Sequence, residues 1–195
     1  MRHPTLLLIL LLVIACSKDN NLDPISGDGA LHYDRENQSA PAIARGLSYA
    51  AVRFPPNEIT SASAQGKQLT SVDFYVSDRP TQIRVLLFNW NDQTPNEPGT
   101  VLYEQILQRG AIDGNAWNRH NLGSTVSIPT EGFWIACEVD AGDQDLRVIG
   151  CDPGPRHPEG DVYGVFGDNL PGWTSLYDFS SQAVNVNWNI RARIE

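Results

Sequence analysis

The chain has 195 residues with 14 basic against 23 acidic side chains, a formal charge of −9. A surface of that sign repels phosphate, which argues against nucleic acid and anionic lipid headgroups as partners. Some 165 residues remain beyond an apolar leader and the polar stretch that follows it, enough for one domain with a sizeable core.

The leader "MRHPTLLLILLLVIAC" has a basic Arg2, an apolar stretch from Leu6 to Ile14, and the small Ala15 directly before Cys16. The apolar stretch is shorter than the roughly 20 residues a bilayer span needs. Residues 1–15 therefore read as a signal peptide. Placing Cys16 right after the apolar core resembles a bacterial lipobox, which implies lipidation of Cys16 and a membrane anchor. An ordinary signal peptide is the alternative. Residues 16–30, including "SKDNNLDPISGDGA", read as the lipidated cysteine and a flexible tether. "CSKD" also looks like the export cue of surface lipoproteins in Bacteroidetes-type bacteria, so an outer-membrane, surface-exposed location is expected. Loss of Arg2 with the leader leaves 13 basic against 23 acidic side chains.

From residue 31 to residue 195 no convincing helix is found. Short runs of β-formers alternate with Gly, Pro, Asn and Asp clusters, as in an all-β sandwich or barrel. The runs are Gly46–Phe54, halted by Pro55-Pro56, then Gln68–Ser77, Thr81–Trp90, and Thr100–Gln108 after the turn-rich "NDQTPNEPG". Asn115–Gly123, Ser124–Pro129, Gly132–Val139 and Leu146–Cys151 follow. An irregular stretch from Asp152 to Ser181 holds "YGVFG" and "WTSLY" as short strands. The expected fold is a single antiparallel β-sandwich of about eight or nine strands.

A hairpin turning near Gln144 would set Cys137 and Cys151 opposite each other on adjacent strands. An oxidising envelope favours a disulfide there, worth about 3 kcal/mol for a loop of about 15 residues. Two buried free thiols acting as small hydrophobes are the alternative.

The last strand, "AVNVNWNIRARIE", alternates without a break. Val184, Val186, Trp188, Ile190, Ala192 and Ile194 share one parity; Asn185, Asn187, Asn189, Arg191 and Arg193 share the other. Period two means one buried face and one wet face, with Trp188 in the core.

Reactive constellations are sparse. His32, His120 and His157 are far apart in sequence, with no zinc-ligand spacing and no Gly-x-Ser-x-Gly elbow. Acidic residues are scattered, so no pair can be nominated for glycoside hydrolysis. Asp92 with Glu97, and Asp143 with Asp145, are weak candidates for a structural calcium, against the plainer reading of turn residues. No other cofactor is expected. Sugar binding is the sharper reading, because it needs aromatic faces beside Asn, Asp and Arg. Trp90 and Trp173, in polar or irregular stretches, and Trp134, opposite in parity to Phe133 and Ile135, are the candidate platforms. Asn187, Asn189 and Arg191 are the candidate hydroxyl partners. For each, packing or plain solvation is the alternative.

Several stretches together carry a resemblance. They are "HYDRE" (His32–Glu36), "AAVRFPP" (Ala50–Pro56), "LTSVDFYV" (Leu69–Val76), "AWNRHNL" (Ala116–Leu122), "GFWIACEV" (Gly132–Val139) and "WNIRARI" (Trp188–Ile194). In that order they resemble the accessory, jelly-roll-like β-sandwich domains of Bacteroidetes-type secreted and surface proteins, over roughly Ala30 to Glu195. Asn115 departs from the glycine that often precedes the tryptophan. The resemblance implies a fold and a place outside the cell, and no catalytic residues. The resulting expectation is a membrane-anchored envelope lipoprotein with a noncatalytic binding sandwich whose partner is a glycan or an exported protein. A structural subunit of a surface assembly is the alternative, and a glycan-degrading enzyme a weaker one.

Overall fold

In the computed structural model, residues 29–42 and 45–195 are described. The expected signal peptide, Cys16 and nearly all of the expected tether fall outside them. Among the described residues ten strands form two antiparallel sheets: β1 (Ala30–Leu31), β2 (Leu47–Phe54), β3 (Gln68–Val76), β4 (Gln82–Asn89), β5 (Val101–Gln108), β6 (Ala116–Ser127), β7 (Phe133–Asp140), β8 (Val162–Val165), β9 (Gly172–Ser175) and β10 (Ile190–Ile194). One sheet has the order β1-β10-β3-β6 and the other β5-β4-β7-β2-β8-β9.

Without β8 and β9, the remaining eight strands taken in chain order read 1-8-3-6 in one layer and 2-7-4-5 in the other. That interleaving is two nested Greek keys, a jelly roll. The β8–β9 hairpin widens the second sheet beyond β2. Between the layers lies the core. Val72, Phe74 and Val76 of β3 and Ile190, Ala192 and Ile194 of β10 meet Val52 and Phe54 of β2, Ile83, Val85 and Leu87 of β4, and Phe133 and Ile135 of β7. Period two along each strand produces this, since alternate side chains point to one face. Trp188 is sealed in the core at 0% exposure, its Nε1 donating to the Val162 carbonyl at 2.8 Å.

Two short helices depart from the sequence reading. Pro56–Ser61 is α1, and Leu176–Phe179 is α2, which the Ser175 side chain caps by accepting from the Asp178 amide. Pro55-Pro56 ends β2 as expected, but Pro56 then serves as the first helical residue, where its missing N–H costs nothing. The runs Asn115–Gly123 and Ser124–Pro129 are a single strand, β6.

The disulfide does not form: Cys137 and Cys151 are both free thiols. The return hairpin is missing because β7 is paired on both sides, with β2 and β4. The chain after β7 crosses to the other layer instead. There Ser77 and Asp78 donate to the Val148 and Arg147 carbonyls, and Cys151 bridges Ser39 and Trp188. Burial pushes the Cys137 thiol up to about 12, so this residue is a small core hydrophobe.

The terminal alternation is also misleading in part. Only Ile190–Ile194 is a strand. Asn187 and Asn189 are not on a wet face; both are buried. The segments around residues 34–37 and 152–157 lie over that parity and supply its partners. Asn187 donates to Asp152 Oδ2 at 3.0 Å and to the Pro155 carbonyl at 3.0 Å. Asn189 donates to Asp34 Oδ2 at 2.7 Å. Arg191 clasps the same carboxylate through Nε and a terminal nitrogen, at 3.0 and 2.8 Å. Buried polar groups must be paired in this way or they cost stability.

Candidate functional site

The outer face of the six-stranded sheet carries a second apolar cluster, made of Ala51, Leu86, Phe88, Trp134, Ala136 and Val162 with Tyr49, Trp90 and Trp173 packed on it. Register explains the grouping. Phe88, Trp134 and Arg53 are cross-strand neighbours on β4, β7 and β2, and Tyr49, Gly164 and Trp173 on β2, β8 and β9. Gly164 makes room for the indole: a Cβ there would stand 2.8 Å from the Trp173 ring.

The three nominated tryptophans come together. Trp134 lies between Trp90 and Trp173, with ring centroids 6.5 and 5.5 Å away. Its parity does point it away from the main core, but it is not an exposed platform. It is 0% exposed, under its two neighbours and the Arg53 guanidinium, which sits 5.4 Å from its ring centre. Trp134 is thus the floor on which the other two rest.

Arg53 also fastens the loop that follows Trp90. One terminal nitrogen donates to the Pro95 carbonyl at 3.1 Å and to Asn96 Oδ1 at 2.8 Å, while Nε pairs with Glu159. Between this loop, the segment before β8 and the start of α2 is a pocket of about 260 Å³. Trp173, Arg53, Arg156, Asn96, Ser175 and Asp178 are among its lining residues. Trp90 borders a separate, shallower depression with Asn89, Asn91, Asp92 and Gln93. The loop 91–99 contributes to both, through Asn96 to the first and Asn91 to Gln93 to the second.

Behind the pocket, Arg156 Nε lies 3.1 Å from Asp161, whose side chain is sealed from solvent. Burial lifts the Asp161 carboxyl to about 6, against the pull of Arg156 and of the Tyr177 amide. An aspartate in the unfolded chain titrates near 3.9. Between those values the folded chain holds the extra proton, so stability falls as pH rises from about 4 to about 6 and is level above. Asp161→Asn should abolish that component. The unfolding free energy of the variant relative to the parent should therefore rise by on the order of 2–3 kcal/mol between pH 4 and pH 7. Urea denaturation at both values checks it, and a pH-independent difference would contradict the assignment.

The proposed hydroxyl partners do not join this site. Asn187, Asn189 and Arg191 belong to the opposite layer, where Asp152 and Asp34 occupy them. Trp117, which sequence reasoning did not nominate, covers Arg191 there, with the guanidinium 4.3 Å from the ring centre and the indole 39% exposed. Arg53, Asn96 and Arg156 were missed as well. An arginine near Pro-Pro and an amide in a polar loop carry no signal until the fold brings them to Trp173.

Of the calcium candidates, Asp92, Glu97 and Asp143 are exposed, and Asp145 is held by Arg45 at 3.0 and 3.1 Å. Among the described residues no group of three or more His, Cys, Asp and Glu could hold a metal ion. His120 meets the Tyr103 hydroxyl at 2.7 Å, and burial lowers its pKa. His157 stacks on Tyr33 at 4.3 Å, and His32 meets Asp34 at 2.9 Å. Each of the three histidines has a framework partner.

Comparison with protein-family models, with curated proteins and with solved structures finds no match. The pocket must therefore be read from its own chemistry.

Proposed function

We propose that the chain is an anchored envelope lipoprotein whose jelly roll binds a glycan without turning it over, in the pocket beside Trp173. One observation carries the reading. A half-buried indole, with Val162 and Pro158, lines a small pocket whose other walls are two guanidiniums, an amide, hydroxyls and a carboxylate. An aromatic face satisfies the apolar face of a pyranose, and the polar rim matches its hydroxyls. At about 260 Å³ the pocket lies just below the roughly 300 Å³ where drug-sized sites begin. It suits a sugar unit better than a long chain laid flat.

Binding is favoured over hydrolysis by the carboxylates. Asp178 is the carboxylate among the lining residues, and its Oδ2 is 2.6 Å from the Ser175 hydroxyl. Asp161, the acid with the raised pKa, is shut behind Arg156. A general acid has to reach the proton it transfers, and this one does not face the pocket.

Glycan-array screening of the full chain, followed by calorimetry on the best ligand, tests the reading. Trp173→Ala should weaken binding by roughly tenfold to hundredfold, as loss of an aromatic anchor does. Asn96→Ala, which leaves the tryptophan row intact, should weaken it less. Absence of glycan binding, or equal affinity in Trp173→Ala, would refute it.

A further inference from the structure

The jelly roll leaves four sheet edges, and they are unequally protected. β1 is two residues long, and β9 is four residues and runs into α2. β6 is long, but its pairing slips between Leu69 and Ser71, and the stretch opposite from Leu122 to Thr125 has no ladder partner. β5 is different. It is eight residues long, pairs only with β4 among the described residues, and its pairing is regular from Tyr103 to Gln108, with a shift confined to its start.

Edges of this kind are normally guarded by lysine, proline or a central bulge. β5 has neither Lys nor Pro, and Glu104 is its one charge. It also gathers exposed apolar surface: Val101, Leu102 and Ile106 are 51%, 37% and 38% exposed, three of the eight large exposed hydrophobics among the described residues.

From this we infer that β5 is a docking edge for a second copy of the chain, joining the two six-stranded sheets antiparallel about a two-fold axis. The proposed register is centred on Gln105. Centring on Gln105 sets Glu104 opposite the partner's Ile106, Tyr103 opposite the partner's Leu107 and Leu102 opposite the partner's Gln108. Centring on Glu104 would oppose two carboxylates, which like charges disfavour. In the favoured register Glu104 also approaches the partner's Arg84, one strand beyond the partner's Ile106. Arg84 lies between two carboxylates of its own chain, its Nε 3.2 Å from Glu138 and a terminal nitrogen 3.9 Å from Glu104. A two-fold contact of this type is self-complementary and closed, so assembly stops at two.

Sedimentation equilibrium of the full chain should give the mass of two copies at micromolar concentration, and Ile106→Lys should give the mass of one. Under mild oxidation Gln105→Cys should yield a cross-linked dimer that the parent does not. A single-copy mass for the parent, a two-copy mass for Ile106→Lys, or no cross-link through residue 105 would overturn the inference. Trp173 lies at the opposite edge of the same sheet, so the glycan reading survives that failure and the monomeric variant keeps its pocket.

Discussion

Asp34→Ala is expected to lower the midpoint of thermal unfolding by roughly 6–20 °C. The Asp34 side chain is fully buried and meets Arg191, Asn189 and His32 at once. Removing the carboxylate leaves a largely buried guanidinium and a buried amide with only the Arg35 carbonyl to accept from them. Breaking a buried ion pair from one side costs about 3–5 kcal/mol. In a domain of this size each kcal/mol moves the midpoint by about 2–4 °C. Asp34→Asn, which keeps the shape and one acceptor oxygen, should fall between the two. Differential scanning calorimetry measures the series, and a shift under 3 °C for the alanine variant would show that the clasp does not hold β10.

Trp188→Ala is expected to cost a similar amount by another route. The indole is sealed between the layers, and its truncation opens a cavity that neighbouring strands cannot refill. Large aromatic-to-alanine changes in cores cost about 3–5 kcal/mol. The Val162 carbonyl also loses its donor, which loosens the strand leading toward the pocket. Chemical denaturation should show the midpoint falling with an unchanged slope, as for a loss of stability without a change in the surface exposed. Replacement by Phe should recover part of the loss, because it refills volume without restoring the hydrogen bond. Full stability in Trp188→Ala would contradict its place in the core.

The strand pattern was legible because alternation is local. Val72, Phe74 and Val76 announce a buried face without reference to anything distant, and so do Ile190, Ala192 and Ile194. Partner identity is not local. The Cys137–Cys151 expectation failed because it assumed that β7 had a free side for the returning chain, whereas β2 and β4 had already taken both. Nor does alternation say what lies over the second face. Asn187 and Asn189 look like solvent-facing amides in sequence, yet Asp152 and Asp34, from segments 35 and 155 residues away, bury them. The "HYDRE" and "WNIRARI" stretches behind the family resemblance are, in three dimensions, two halves of one clasp. The tryptophans were half readable. Their type drew notice, but that Trp134 lies beneath Trp90 and Trp173 depends on Ala51, Ala136 and Gly164 being small on neighbouring strands.

The join between β1 and β10 has a mechanical consequence. Ala30 and Leu31 pair with Arg193 and Ala192, and the buried Asp34 carboxylate follows three residues on. A pull arriving from residues ahead of Gly29 first loads a two-residue ladder, then the Asp34–Arg191 ion pair, and only afterwards the interior. Tension from that side would be borne by one edge of the four-stranded layer. The Trp173 cleft, on the other layer, would keep its shape under that load.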